Sequence, residues 1–211
     1  MEQHLSHMKY AILDLDGTIL DSMESWKNVT RDYLASLGIQ AASDIREQVK
    51  RRTSAETAKY LQEEYGVKGT IEDITSGLHQ VIAAKYEKTI PMKASGSLIL
   101  SYLHAHHVPF AAATSTDRPM IEAALKRLGI YDDFSFILTC SEVGKGKHDP
   151  DIFLETMARL GGTLENTVVF EDALHCVRTA KNAGFTVVGI YEDVDKQDWD
   201  EILKLSDFTI L

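Results

Sequence analysis

"AILDLDGTILDS", residues 11–22, sets three aspartates within eight positions directly behind a run of aliphatic side chains. Extended to "KYAILDLD" at 9–16, the stretch predicts a short buried strand that ends in charge and turns at Gly17. Similar apolar runs recur in "VPFAAAT" (108–114), "FSFILT" (134–139), "NTVVFED" (166–172), "FTVVGIY" (185–191) and "DFTIL" (207–211). Helical patterns alternate with them at 96–106, 118–128, 151–160 and 173–183, the last two closed by Gly161 with Gly162 and by Gly184. Strand and helix in alternation predict an α/β class: a Rossmann-like, three-layer core with helices on both faces of a parallel sheet.

One segment breaks the alternation. Between the first two strands lie about 70 residues with helical periodicity and no convincing strand, far beyond an ordinary connection. They predict an inserted all-helical cap domain at 21–90, leaving a core made of 1–20 and 91–211. The return, "TIPMKASG", reads as an irregular connection bracketed by Pro91 and Gly96 that serves as a hinge.

Composition narrows the class. The 211 residues are 44% hydrophobic and 26% charged, ordinary for a globular protein. No run approaches the ~18 apolar residues of a membrane helix. The opening "MEQHLSHMKY" has no apolar stretch of signal-peptide length, so the expectation is a cytoplasmic protein with no membrane partner. A net charge of -10 argues against a nucleic-acid partner. Two cysteines, Cys140 and Cys176, read as small buried hydrophobes without a role. The expected oligomeric state is a monomer or weak homodimer.

In a parallel sheet, ligands gather at the carboxyl ends of the strands. The first strand ends in Asp14 and Asp16, whose alternation past Leu15 predicts that both carboxylates face one side, where two like charges need a cation or a shared proton. The second ends in Thr114, Ser115 and Thr116, with hydroxyls and N–H groups for an anion. The segment after the third carries Lys145 and Lys147 ahead of "DPDIF", and the fourth ends in Glu171 and Asp172. With Asp14 these acids can complete an oxygen shell that favours Mg2+ over zinc. Singly, Thr114 reads equally well as a helix cap and Lys147 as a solvated charge; jointly the set matches phosphoryl transfer through an aspartyl phosphate.

The ordered set "DLDGT" (14–18), "ATS" (113–115), "KHDPDIF" (147–153) and "VVFEDA" (168–173) closely resembles the four motifs of the haloacid dehalogenase superfamily. The resemblance is to its helical-cap branch, β-phosphoglucomutase-like and phosphoglycolate phosphatase-like, and runs from Met8 to the end of the chain. It implies a Mg2+-dependent phosphatase acting on a small phosphorylated metabolite such as a sugar phosphate. By the same resemblance Asp14 is the nucleophile. Asp16 is the general acid and base, its proton held more firmly than that of Asp14, and its backbone carbonyl meets the metal together with Asp14, Glu171 and Asp172. Thr114, Ser115 and Lys147 bind the phosphoryl oxygens. Lys147 is chosen over Lys145 because the family lysine stands three residues before the proline, here Pro150. His148, where a proline commonly follows that lysine, implies a less rigid loop.

Asp16 argues against a dehalogenase, and no cap lysine is marked for a phosphonate hydrolase. The serious alternative is a phosphosugar mutase of the β-phosphoglucomutase type, which shares the Asp21–Ser22 hinge; such mutases carry a histidine where this chain has Trp26. A phosphate-responsive binding module is the alternative from another class. In the cap, "KRRTS" (50–54) offers Arg51 or Arg52 for an acidic group of the substrate, Trp26 reads as cap core, and the "HAHH" histidines (104–107) read as surface.

Overall fold

The computed structural model describes residues 7–50 and 52–211. The chain divides into two compact units, one joining the residues up to Ser22 to Ile90–Leu211, the other Met23–Thr89.

The second unit is helical: α1 (Met23–Ser36), α2 (Ile45–Val49), α3 (Ser54–Tyr65) and α4 (Ile71–Lys88). Two of these helices start at reciprocal caps. The Thr53 hydroxyl accepts from the Glu56 N–H while Glu56 accepts from the Thr53 N–H, and Thr70 and Asp73 do the same for α4. Inward faces carry Leu34, Ala58, Leu61 and Ile74, all fully buried, each large aliphatic contributing about 1.5–3 kcal/mol. Gly77 lets α4 approach α1, because a Cβ there would lie 2.4 Å from Tyr33 Cε2.

The first unit holds six parallel strands: β1 (Tyr10–Leu13), β2 (Phe110–Thr114), β3 (Ile137–Thr139), β4 (Thr167–Glu171), β5 (Thr186–Ile190) and β6 (Phe208–Ile210). Their order across the sheet is β3-β2-β1-β4-β5-β6. The helices are α5 (Ala94–Ala105), α6 (Arg118–Leu128), α7 (Cys140–Val143), α8 (Asp151–Leu160), α9 (Leu174–Asn182) and α10 (Trp199–Leu205). Ile12, Val169 and Val187 pack with Phe153, Val177 and Ile202 of α8, α9 and α10 on one face. The alternate side chains Ala11, Leu13, Val168 and Phe170 are equally buried, so the opposite face is covered too, as a parallel sheet requires. Among the described residues no helix is long and apolar enough to cross a membrane.

Three elements differ from the sequence reading. The run at 134–139 is a strand only over Ile137–Thr139, although its backbone meets β2 earlier: Ser135 N–H donates to Phe110 O (2.8 Å) and Phe136 O accepts from Ala112 N–H (3.1 Å). The return after the helical unit is ordered pairing: Lys93 N–H donates to Ile19 O (2.8 Å) and Asp21 N–H to Pro91 O (3.0 Å). Gly96 belongs to α5, where a Cβ would meet Ile19 O at 2.5 Å, so the glycine serves a close backbone approach and marks no break.

Candidate functional site

At β1 the chain order reverses: β2 and β3 lie on one side of it, β4 to β6 on the other. The carboxyl ends of β1, β2 and β4 therefore border a switch point, the place where such sheets gather ligands. Register sets the contents. Leu13 pairs with Phe170 and with Ala112, so the next residues, Asp14 and Glu171, stand side by side.

Lys147, 3% exposed, reaches this edge from the loop before α8. Its Nζ donates to Asp14 Oδ1 and, at 2.7 Å, to Glu171 Oε1. Burial opposes the lysine's charge, but the two carboxylates outweigh it and hold the ammonium well above its ordinary value. Lys145 stands elsewhere, exposed, with Nζ 2.9 Å from Asp151. The intervening loop is tied down: Asp149 N–H donates to Gly146 O, and the His148 ring stacks on His175 with centroids 4.5 Å apart. The expected loosening at His148 is thus replaced by a stacked pair.

Asp14, Glu171 and Asp172 present oxygens within 4.8 Å of one another, all three residues being buried. The Thr18 hydroxyl donates to Asp172 Oδ1 at 3.3 Å. Too little positive charge reaches this group. Burial, reinforced by Glu171 and Asp16 and opposed by Lys147, pushes the Asp14 carboxyl up to about 8. Burial and the charges of Asp14 and Glu171 push Asp172 well above the carboxylate range as well. Both shifts mark a cluster short of positive charge. Its donors are all oxygen, which suits a hard divalent ion. Asp14 is deeply buried, and its ionisation needs added positive charge.

Neither motif aspartate lies within β1. The strand ends at Leu13, Asp14 follows it directly, and Asp16 lies further on with its carboxylate fixed by two hydroxyls, Ser22 Oγ at 2.6 Å and Thr116 Oγ1 at 2.7 Å. The sequence reading did not bring those hydroxyls to Asp16. Ser22 appeared only as a hinge residue and Thr116 only among the strand-end hydroxyls for an anion, and nothing in their spacing marks them as partners of Asp16. Lys93 was missed altogether: its Nζ donates to Gly17 O (2.5 Å), Tyr191 O (2.7 Å) and Glu192 Oε2 (2.6 Å), pinning the turn that follows Asp16.

Thr114 is fully buried at the end of β2, its Oγ1 accepting from the Thr116 N–H at 3.1 Å. Ser115 next to it is exposed, with Oγ 3.4 Å from Cys140 Sγ. The cysteines are free, and burial pushes the Cys176 thiol far up, leaving it inert. Arg52 belongs to the helical unit, where its guanidinium lies 4.5 Å from the Tyr60 ring centroid and helps to line a cavity. Trp26 lines the same cavity and donates to Tyr86 OH at 2.8 Å, so it is a wall residue and not closed core. Arg51 lies outside the described residues. His104, His106 and His107 are exposed.

A family model described as haloacid dehalogenase-like hydrolase matches residues 11–190. The chain is 32% identical over 182 residues to the bifunctional riboflavin kinase/FMN phosphatase of Arabidopsis thaliana, covering 85% of this chain and 47% of that protein. It thus spans about half the length of that relative. It is 26% identical over 177 residues to the phosphorylated carbohydrates phosphatase of Thermotoga maritima, covering 84% and 82%. A crystal structure of a candidate beta-phosphoglucomutase from Thermotoga maritima matches with a TM-score of 0.84 at 24% identity over 96% and 94% of the two chains, a likeness of fold.

Proposed function

The chain belongs to the haloacid dehalogenase-like hydrolases and is a phosphohydrolase; we propose that it hydrolyses a small phosphomonoester, a sugar phosphate or similar metabolite, through an aspartyl phosphate. The observation that carries this reading is the buried contact of Lys147 with Asp14 and Glu171 at the sheet's switch point. Asp14 offers its second oxygen: Oδ2 accepts no hydrogen bond from any described residue, while Oδ1 faces the lysine.

In this proposal Asp14 attacks phosphorus, the bond from phosphorus to the ester oxygen breaks, and that oxygen takes a proton from Asp16. Asp16 then removes a proton from water as the water attacks phosphorus, and the bond to Asp14 breaks to release phosphate. The hydroxyls of Ser22 and Thr116 keep Asp16 in place through both transfers. Thr114, the Ser115 N–H and Lys147 hold phosphoryl oxygens. Asp14, Glu171, Asp172 and the Asp16 carbonyl are the groups proposed to hold Mg2+, which supplies neutralisation of charge on the transferring group. The helical unit is proposed to act as the cap that selects the leaving group.

The test is free-phosphate release by purified protein with Mg2+ over a panel of sugar phosphates, nucleotides and other phosphomonoesters. Asp14→Asn is the control. Release that vanishes in the variant supports the reading. Conversion of β-glucose 1-phosphate to glucose 6-phosphate without release replaces it with a mutase.

A further inference from the structure

The turn that follows Asp16 is fastened at three consecutive carbonyls. Gly17 O accepts from Lys93 Nζ (2.5 Å), Thr18 O from Ser95 Oγ (3.2 Å) and Ile19 O from the Lys93 N–H (2.8 Å). All three donors lie at the entry of α5, Lys93 being the residue that precedes it. Gly17 has a φ of 85°, in the left-handed region that glycine enters and leaves freely. The position of this turn is therefore set by what holds it from outside.

Lys93 is itself held. Its ammonium has three protons and meets three acceptors, Gly17 O, Tyr191 O at 2.7 Å and Glu192 Oε2 at 2.6 Å, so its donor capacity is filled. Glu192 is 7% exposed, and its other oxygen accepts from the Val194 N–H at 3.1 Å, which anchors the carboxylate. Tyr191 and Glu192 follow β5, and Gly17 follows β1, with β4 between those strands in the sheet. The lysine thus ties together the ends of two strands that flank the one ending in Glu171. A buried ion pair gains little stability over apolar packing; what this one adds is a fixed place for Gly17 O.

We infer that Lys93, oriented by Glu192, is a positioning residue that fixes the turn so that Asp16 meets the leaving oxygen. The inference rests on the phosphatase reading, in which Asp16 delivers a proton to that oxygen. Two attachments then place Asp16: the hydroxyls of Ser22 and Thr116 hold its carboxylate, and Lys93 holds the backbone just after it. Proton transfer needs hydrogen-bond reach to the accepting atom, so a loosened turn weakens this step first.

The need for that proton depends on the leaving group. An alkoxide must be protonated as it departs, whereas 4-nitrophenolate leaves as a stable anion. The experiment measures kcat/KM for 4-nitrophenyl phosphate and for the alkyl phosphomonoester turned over fastest in the panel; this constant covers the steps up to the aspartyl phosphate and excludes the later attack of water. The test variant is Lys93→Met with Glu192→Gln, paired so that no buried charge is left alone, and circular dichroism checks its fold. The alkyl ester should lose about tenfold more than the nitrophenyl ester, a part of the hundredfold or greater contribution of a placed proton donor. Lys93→Arg keeps the charge and the donors and should restore most of the ratio. Glu192→Gln alone keeps an acceptor for the lysine and removes only the orienting charge; it should move the ratio the same way by a smaller factor, and it carries the test if the double variant does not fold. A merely structural role would strike both esters alike. Equal losses, or none, in variants of a chain that is active unmutated overturn the role of Lys93 and leave the phosphatase standing. An unmutated chain that releases phosphate from neither ester removes the phosphatase reading, and this inference with it.

Discussion

Replacing Asp14 by asparagine is expected to abolish turnover and yet stabilise the metal-free protein. The Asp14 carboxyl is pushed up to about 8 from 3.8, above all by burial. The sign is that of a raised acid: the unfolded chain gives up this proton near 3.8 and the folded chain near 8, so folding takes up a proton between those limits and stability falls as pH rises. Each pH unit of that window costs about 1.4 kcal/mol, giving on the order of 4 kcal/mol at neutral pH. Asp172, raised as well, shares that cost by holding a proton when Asp14 ionises, which brings the expected gain in the variant to about 2–4 kcal/mol. Asparagine resembles the protonated form, so the contact with Lys147 is treated alike on both sides of the comparison. The assay is urea unfolding in chelator across the window. The two proteins should be alike at its acid end, diverge with rising pH and run parallel above its upper limit. Excess Mg2+ should stabilise the unmutated chain more than the variant. A variant less stable at the upper limit, or a gap that ignores pH, would mean that Asp14 ionises without cost and that the cluster needs no cation.

The two lysines separate cleanly. Lys147→Met should cut phosphate release by about a thousandfold, whereas Lys145→Met, exposed and held by Asp151, should stay within about twofold; the opposite order would move the phosphoryl contact to Lys145. Thr116→Val strips one of the two hydroxyls from Asp16 and should lower kcat about tenfold and displace the pH–rate profile; an unmoved profile would leave the hydroxyl with packing alone. Gly96→Ala drives a methyl to 2.5 Å from Ile19 O and should cost about 2 kcal/mol in thermal unfolding, so an unchanged midpoint would contradict the close approach.

Much of the fold was legible because its signals are local. Apolar runs bounded by glycine locate the strands, and left-handed Gly129 and Gly161 end α6 and α8 after their periodic stretches. What escaped depends on contacts across the sequence. α7 is only four residues long, starts from a reciprocal cap between Thr139 and Glu142, and is clamped by Arg118 through two bonds to Glu142. That arginine holds the Glu142 carboxyl down at about 2. α10 follows an acidic stretch of 3-10 helix with little periodicity of its own. Gly96 looked like a break because sequence alone does not show Ile19 beside it.

The same division runs through the site. Residues proposed to do the chemistry sit in compact motifs whose spacing is readable, while those that orient or balance them come from afar. Thr116 meets Asp16 across 100 positions and Lys93 meets Glu192 across 99. The charge count also emerges only in three dimensions. Asp14, Glu171, Asp172 and Glu192 are all buried, and the ammonium groups facing them are those of Lys147 and Lys93. Four buried carboxylates, with Asp16 beside them, outnumber two lysines and leave an excess of negative charge to be met by protons or by an ion. Burial and that excess together raise the Asp14 and Asp172 carboxyls. A nucleophile cannot keep its proton, so that excess calls for added positive charge, supplied in this proposal by a divalent cation.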